Sequence, residues 1–122
     1  MIDASNILFL APFFLGPLLS ISGYILVKKP PKKINHFYGY RTKASMKSKE
    51  IWDYAQLYAG RQLTRFGIII FFMSLIGLIF KVEIGISLTI FVSYFLIGCV
   101  ILVYLIEKKL KEKSKADNSS KC

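Results

Sequence analysis

The chain is 122 residues long, 54% hydrophobic, with a formal net charge of +10 at pH 7. One histidine and two cysteines are too few for a multi-histidine metal centre or a disulfide framework. The apolar residues concentrate in three stretches, 7–27, 66–80 and 84–106, which argue against a soluble globule. A bilayer core about 30 Å thick needs roughly 20 apolar residues to be crossed as a helix.

Residues 1–6 contain no Lys or Arg, and the first stretch is longer than the apolar core of a signal peptide, so it reads as a retained helix. Pro12 and Pro17 each remove a helix hydrogen bond and can kink it. Gly16, Ser20 and Gly23 form a small-residue stripe of the kind that lets helices approach closely. Lys28-Lys29-Pro30-Pro31-Lys32-Lys33 stops the helix, and the paired prolines favour a stiff extended segment. Residues 34–47 show no period. Their aromatic content (His36, Phe37, Tyr38, Tyr40) nevertheless predicts an ordered loop, because aromatics are sparse in disordered segments.

Ser48 is a helix N-cap candidate, with Glu50 placed to complement the dipole of the first turn. Trp52, Ala55 and Ala59 recur at helical spacing, with Lys49, Asp53 and Gln56 at polar positions. The pattern predicts one helix over 49–80: amphipathic to about Gly60, then the second span. Arg61 and Arg65 are expected to mark the inner boundary, snorkelling to water or phosphate. Lys81-Val82-Glu83 predicts a tight turn and an antiparallel hairpin of spans two and three. Gly85, Thr89 and Ser93, at four-residue spacing, offer a seam that Ser74 and Gly77 can face. Cys99, mid-span, reads as a small packing residue. Beyond 106 the chain turns Lys-rich, then Ser/Asn-rich. A turn or two of helix is expected there, followed by a basic, disordered tail over 107–122.

Charge sets the expected orientation. Residues 28–65 carry ten Lys or Arg against Glu50 and Asp53, and the tail carries six Lys against three acids. Positive segments flanking spans stay in the cytoplasm. The loop and C-terminus are therefore expected inside, and the N-terminus outside. No Asp, Glu, Lys, Arg or His lies within the three apolar stretches, which argues against a pump or an ion-coupled carrier. The basic segments flank spans and carry no nucleic-acid motif, so no direct nucleic-acid partner is expected. No nucleophile–base pair, metal motif or phosphate loop is present, so neither catalysis nor a cofactor is expected.

What remains is the run Asn35-His36-Phe37-Tyr38-Gly39-Tyr40-Arg41-Thr42, then Ser45 and Trp52. Gly39 can adopt a backbone conformation closed to other residues. Arg41 can fork onto a carboxylate, a phosphate or helix-end carbonyls. Asn35, Thr42 and Ser45 are short side chains suited to tying a loop. Two readings stay open. In one, the loop only closes the bundle mouth, with Trp52 and the tyrosines plugging the lipid interface. In the other, it forms a docking pocket for a peptide, a lipid head group or a protein.

The run from Pro30-Pro31 through Tyr38-Gly39-Tyr40-Arg41-Thr42, with Ser45, Trp52, Ala55-Gln56 and Gly60, resembles the SdpI family, also called the SdpI/YfhL family, over roughly residues 17–106. Gln56 stands where members often carry Asn. The resemblance implies a short three-span bacterial membrane protein in the cytoplasmic membrane, with residues 1–106 forming the family domain. It also implies a function. The founding member confers immunity to a secreted antimicrobial peptide and signals by holding a transcriptional repressor at the membrane. Expected partners are therefore the bilayer, a membrane-active peptide toxin and a soluble cytoplasmic protein, with a homo-oligomer open. Asn35, Tyr38, Gly39, Tyr40, Arg41, Thr42, Ser45, Trp52 and Gln56 are the expected binding residues, and Arg61 and Arg65 the lipid-interface pair. The alternative is a lipid-binding or oligomeric small-solute membrane component.

Overall fold

The computed structural model describes residues 7–35, 38–80 and 82–120, and side chains as far as residue 116. His36, Phe37, Lys81 and Cys122 lie outside the described residues. Three helices follow one another: α1 (Ile7–Lys28), α2 (Lys49–Gly77) and α3 (Ile84–Ser120), with no strand among the described residues. All three are long and apolar enough to cross a membrane. The protein is an all-α bundle of three such helices.

α1 runs unbroken through both prolines, with Pro12 buried and Pro17 exposed. α2 opens as expected. Ser48 is extended (φ −152, ψ 162) and its Oγ accepts the Ile51 N–H at 3.2 Å. The helix closes at Gly77, three residues short of the expected end. The Leu78 and Ile79 N–H groups donate to Leu75 and Ile76 carbonyls at 3.3 and 3.0 Å, tightening the last turn and ending the ladder. The connection is therefore 78–83, longer than the turn expected at 81–83.

The tightest packing joins α1 to α2 through small residues. A Cβ added at Gly16 would meet the Gly67 carbonyl at 2.7 Å, and one at Gly23 the Gly60 carbonyl at 2.5 Å. Between them Ser20 Oγ donates to the Thr64 carbonyl at 3.1 Å. Gly16 and Gly23 are seven residues apart, as are Gly60 and Gly67, so the two helices present backbone to backbone at a repeating register. The α1 stripe read from the sequence is this seam. Its partner stripe on α2, which includes Gly60 and Gly67, is a feature sequence reading missed.

The seam expected on α3 is absent. Gly85 has nothing within 4 Å of an added Cβ, Thr89 Oγ1 bonds only its own helix at Gly85, and Ser93 is exposed. Gly77 is taken by α1, where an added Cβ would strike Leu8. α3 instead meets α2 through rings. Phe66 lies 5.9 Å from Phe95, and its ring fills the space over Gly98. Tilted aromatic rings rather than close backbones make this contact, and only 6% of the apolar window of α3 is buried, against 28% for α2.

α3 also continues through Ser120, far past the one or two extra turns expected after 106. Leu102, Ile106 and Leu110 recur every four residues, and they keep the helix attached to the bundle. Ile106 and Leu110 are 2% and 1% exposed, clustered with Leu26, Ile51, Ala55 and Ala59. Lys113 reaches Glu50 at 3.6 Å and stands 5.7 Å over the Tyr54 ring. The apolar side of the amphipathic start of α2 is thus packed against α3.

Candidate functional site

The loop after α1 folds back over this second core. The stiff Pro30-Pro31 pair delivers the Pro31 carbonyl to Trp52, whose Nε1–H donates to it at 2.9 Å. Trp52 is fully buried, so it is an internal strut and not the lipid-interface plug that one reading expected. Asn35 organises the next turn: its Nδ2 donates to the Lys33 carbonyl at 2.9 Å, and its Oδ1 accepts the Tyr38 N–H at 2.8 Å. The Tyr38 hydroxyl donates to the Lys29 carbonyl at 2.9 Å, near the end of α1.

Gly39 sits at φ +101, where L side chains are strained. Any Cβ there would collide with the Gln56 amide and the Pro31 ring. That close approach lets Gln56 grip the loop backbone from both sides. Its Oε1 accepts the Tyr40 N–H at 2.6 Å, and its Nε2 donates to the Tyr40 carbonyl at 2.8 Å. Gln56 is fully buried, so these bonds satisfy a polar side chain that water does not reach.

Ser45 and Thr42 then close a tight turn. Ser45 Oγ accepts the Thr42 N–H at 2.8 Å, and Thr42 Oγ1 accepts the Ser45 N–H at 3.2 Å. Ser45 is fully buried and its Oγ also reaches the Thr42 carbonyl at 2.9 Å. Finally, the Tyr40 hydroxyl donates to Glu107 Oε1 on α3 at 2.6 Å. Burial, reinforced by the bond to the Glu107 carboxylate, pushes the Tyr40 phenol well above the ordinary tyrosine range. Tyr40 therefore joins loop, α2 and α3. Glu107 was not among the expected site residues. The signal available was an acid closing a charge-free stretch opposite a tyrosine-rich loop.

Of the expected binding residues, the structure brings together Asn35, Tyr38, Gly39, Tyr40, Thr42, Ser45, Trp52 and Gln56. Arg41 stands apart. It is exposed and makes no hydrogen bond or ion pair among the described residues, so it does not cap helix-end carbonyls. Arg61 and Arg65 are also exposed and take no part in the hydrogen bonds that hold the loop.

Two concavities flank the cap. A cleft of about 370 Å³ opens beneath Tyr38, Gly39 and Tyr40, walled by Leu26, Leu63, Leu102 and Ile106. A groove of about 630 Å³ runs between Ala44 and Lys47 of the loop and the α3 extension, edged by Lys108, Lys111 and Lys115. Among the described residues, no three His, Cys, Asp or Glu side chains are grouped to hold a metal ion.

Fold and site together define a small helical membrane protein whose polar end is closed by a hydrogen-bonded loop. The chain belongs to the SdpI/YfhL protein family, whose sequence profile matches residues 32–106, from the loop through the third apolar stretch. It is 37% identical over 97 residues to the uncharacterized protein YfhL of Bacillus subtilis (strain 168), covering 79% of this chain and 82% of that one. No solved structure matches.

Proposed function

We propose that this protein acts in the bacterial cytoplasmic membrane as an SdpI-type immunity and signalling component. It would receive a membrane-active peptide among its spans and pass that event to a soluble partner at the loop end. The observation that carries this reading is the Tyr40 junction. Within its apolar window α3 is little buried against the α1–α2 pair, yet its far end is bonded to the loop through Tyr40 and Glu107. A peptide inserting beside α3 displaces that helix, and the displacement reaches the loop backbone gripped by Gln56. Such a switch works only if the peptide binds one arrangement of α3 better than the other. The loop end, with exposed Arg41 and the lysine-edged groove, supplies the surface that changes.

The test has two arms. Expressing the chain in a sensitive bacterium should protect it from at least one peptide of a panel of membrane-active toxins; no protection across the panel sinks the immunity arm. Tyr40→Phe and Glu107→Gln should leave membrane insertion intact while removing any toxin-dependent recruitment of a soluble partner. Unchanged recruitment in both variants sinks the coupling arm.

A further inference from the structure

Arg61 and Arg65 lie deeper than the first charges of the neighbouring helices. The bond from Ser20 to the Thr64 carbonyl sets Arg65 level with Ser20, and α1 meets its first Lys only at Lys28, eight residues or about 12 Å further along. The Phe66 ring over Gly98 sets the same level on α3, where the first charge is Glu107, nine residues or about 14 Å away. On this register Arg65 sits about two helical turns deeper than the first charge of either neighbouring helix. Both arginines are exposed, with no ion pair among the described residues. A charge so placed is costly unless an anion or a local thinning of the bilayer meets it.

The surroundings say what meets it. Ile68 and Phe72 follow Arg61 and Arg65 at spacings of three and four, continuing one face of α2. Together with Pro17 and Ser20 of α1 they line an apolar groove of about 320 Å³. The three apolar stretches contain no Asp or Glu, so a second copy spanning beside this one has no carboxylate at that depth. The anion the bilayer itself supplies is phosphate. We infer that Arg61 and Arg65 form a site for one anionic phospholipid, drawn inward so that its phosphate meets the two guanidinium groups and an acyl chain lies in the Pro17–Ile68–Phe72 groove. The site does not depend on the immunity reading, since neither arginine takes part in the hydrogen bonds that hold the loop.

The test uses the full chain in detergent, titrated with dioleoyl phosphatidylglycerol or dioleoyl phosphatidylcholine and read by native mass spectrometry. The wild type should retain phosphatidylglycerol in preference to phosphatidylcholine. Arg61→Gln/Arg65→Gln should weaken that binding about thirtyfold, at about 1 kcal/mol per basic residue. The charge-matched Lys32→Gln/Lys33→Gln should leave it within about twofold of wild type. Equal weakening by both pairs, or equal retention of the two lipids, overturns the proposal. A phosphatidylglycerol with a photoactivatable acyl chain covers the case in which the arginine variant misfolds. On wild-type protein it should crosslink within residues 17–20 or 65–72, and labelling only elsewhere overturns the site.

Discussion

At the scale of single residues, the loop is held by buried polar atoms whose partners come from fixed positions in the loop and on α2. Removing a partner therefore leaves an unsatisfied buried group, which costs more than the bond itself was worth. Trp52→Phe keeps an aromatic side chain but removes the indole N–H that donates to the Pro31 carbonyl. The expected loss is about 1–3 kcal/mol in a detergent unfolding titration, and a loss near zero would mean the strut is not formed. Gly39→Ala should be at least as damaging, because it meets positive φ and the Gln56 amide at once. Tyr40 adds a pH signature. Its phenol is raised in the folded protein, so the unfolded state ionises first as pH climbs past about 10. Stability should be full below that pH and fall above it, and Tyr40→Phe should flatten the alkaline limb of the unfolding profile. An identical limb in the variant would place the ionisation elsewhere.

At the scale of elements, the two inter-helix contacts obey different rules. The α1–α2 seam is backbone on backbone, so bulk at Gly16, Gly23, Gly60 or Gly67 must push the helices apart. Gly67→Leu should destabilise the bundle by about 1–3 kcal/mol or more. Gly85→Leu, where an added Cβ meets open space, should be neutral. Equal effects at both positions would contradict this packing. The α3 contact is looser in the apolar layer and firm only beyond it, where Leu110 is buried against Ile51 and Ala55. Leu110→Ala should cost about 2–5 kcal/mol. It should also speed amide exchange in the loop through the Tyr40–Glu107 link; exchange confined to α3 would show that the extension and the loop are independent.

At the scale of the molecule, the parts combine into a close helix pair, a third helix loosely packed in its apolar stretch and a hydrogen-bonded cap. The cap holds α3 where its apolar stretch does not. Hydrogen exchange should therefore be slowest in α1 and α2 along the seam and around Trp52, and faster in residues 84–100 of α3. The expected orientation is also a whole-molecule property, because it rests on the lysines of the loop and tail. An impermeant thiol reagent should fail to label Cys122 in intact cells and succeed after permeabilisation, and labelling in intact cells would reverse the topology.

Composition and periodicity were enough for three membrane-length helices, the Ser48 cap, the small-residue stripe on α1 and the family motif in the loop. Each of these is local: an apolar run, a cap or a motif depends on neighbours in sequence. The partner of each stripe was not legible, because Gly16-Ser20-Gly23 and Gly85-Thr89-Ser93 look alike until three-dimensional packing assigns one to α2 and leaves the other exposed. Nor was the length of α3, since Lys-rich sequence reads as a solvated tail unless Leu110 is known to lie over Ile51. The roles of Trp52, Gln56, Tyr40 and Glu107 likewise depend on residues 16 to 67 positions apart being brought within hydrogen-bond reach. Only chain folding decides which distant donors and acceptors leave water together.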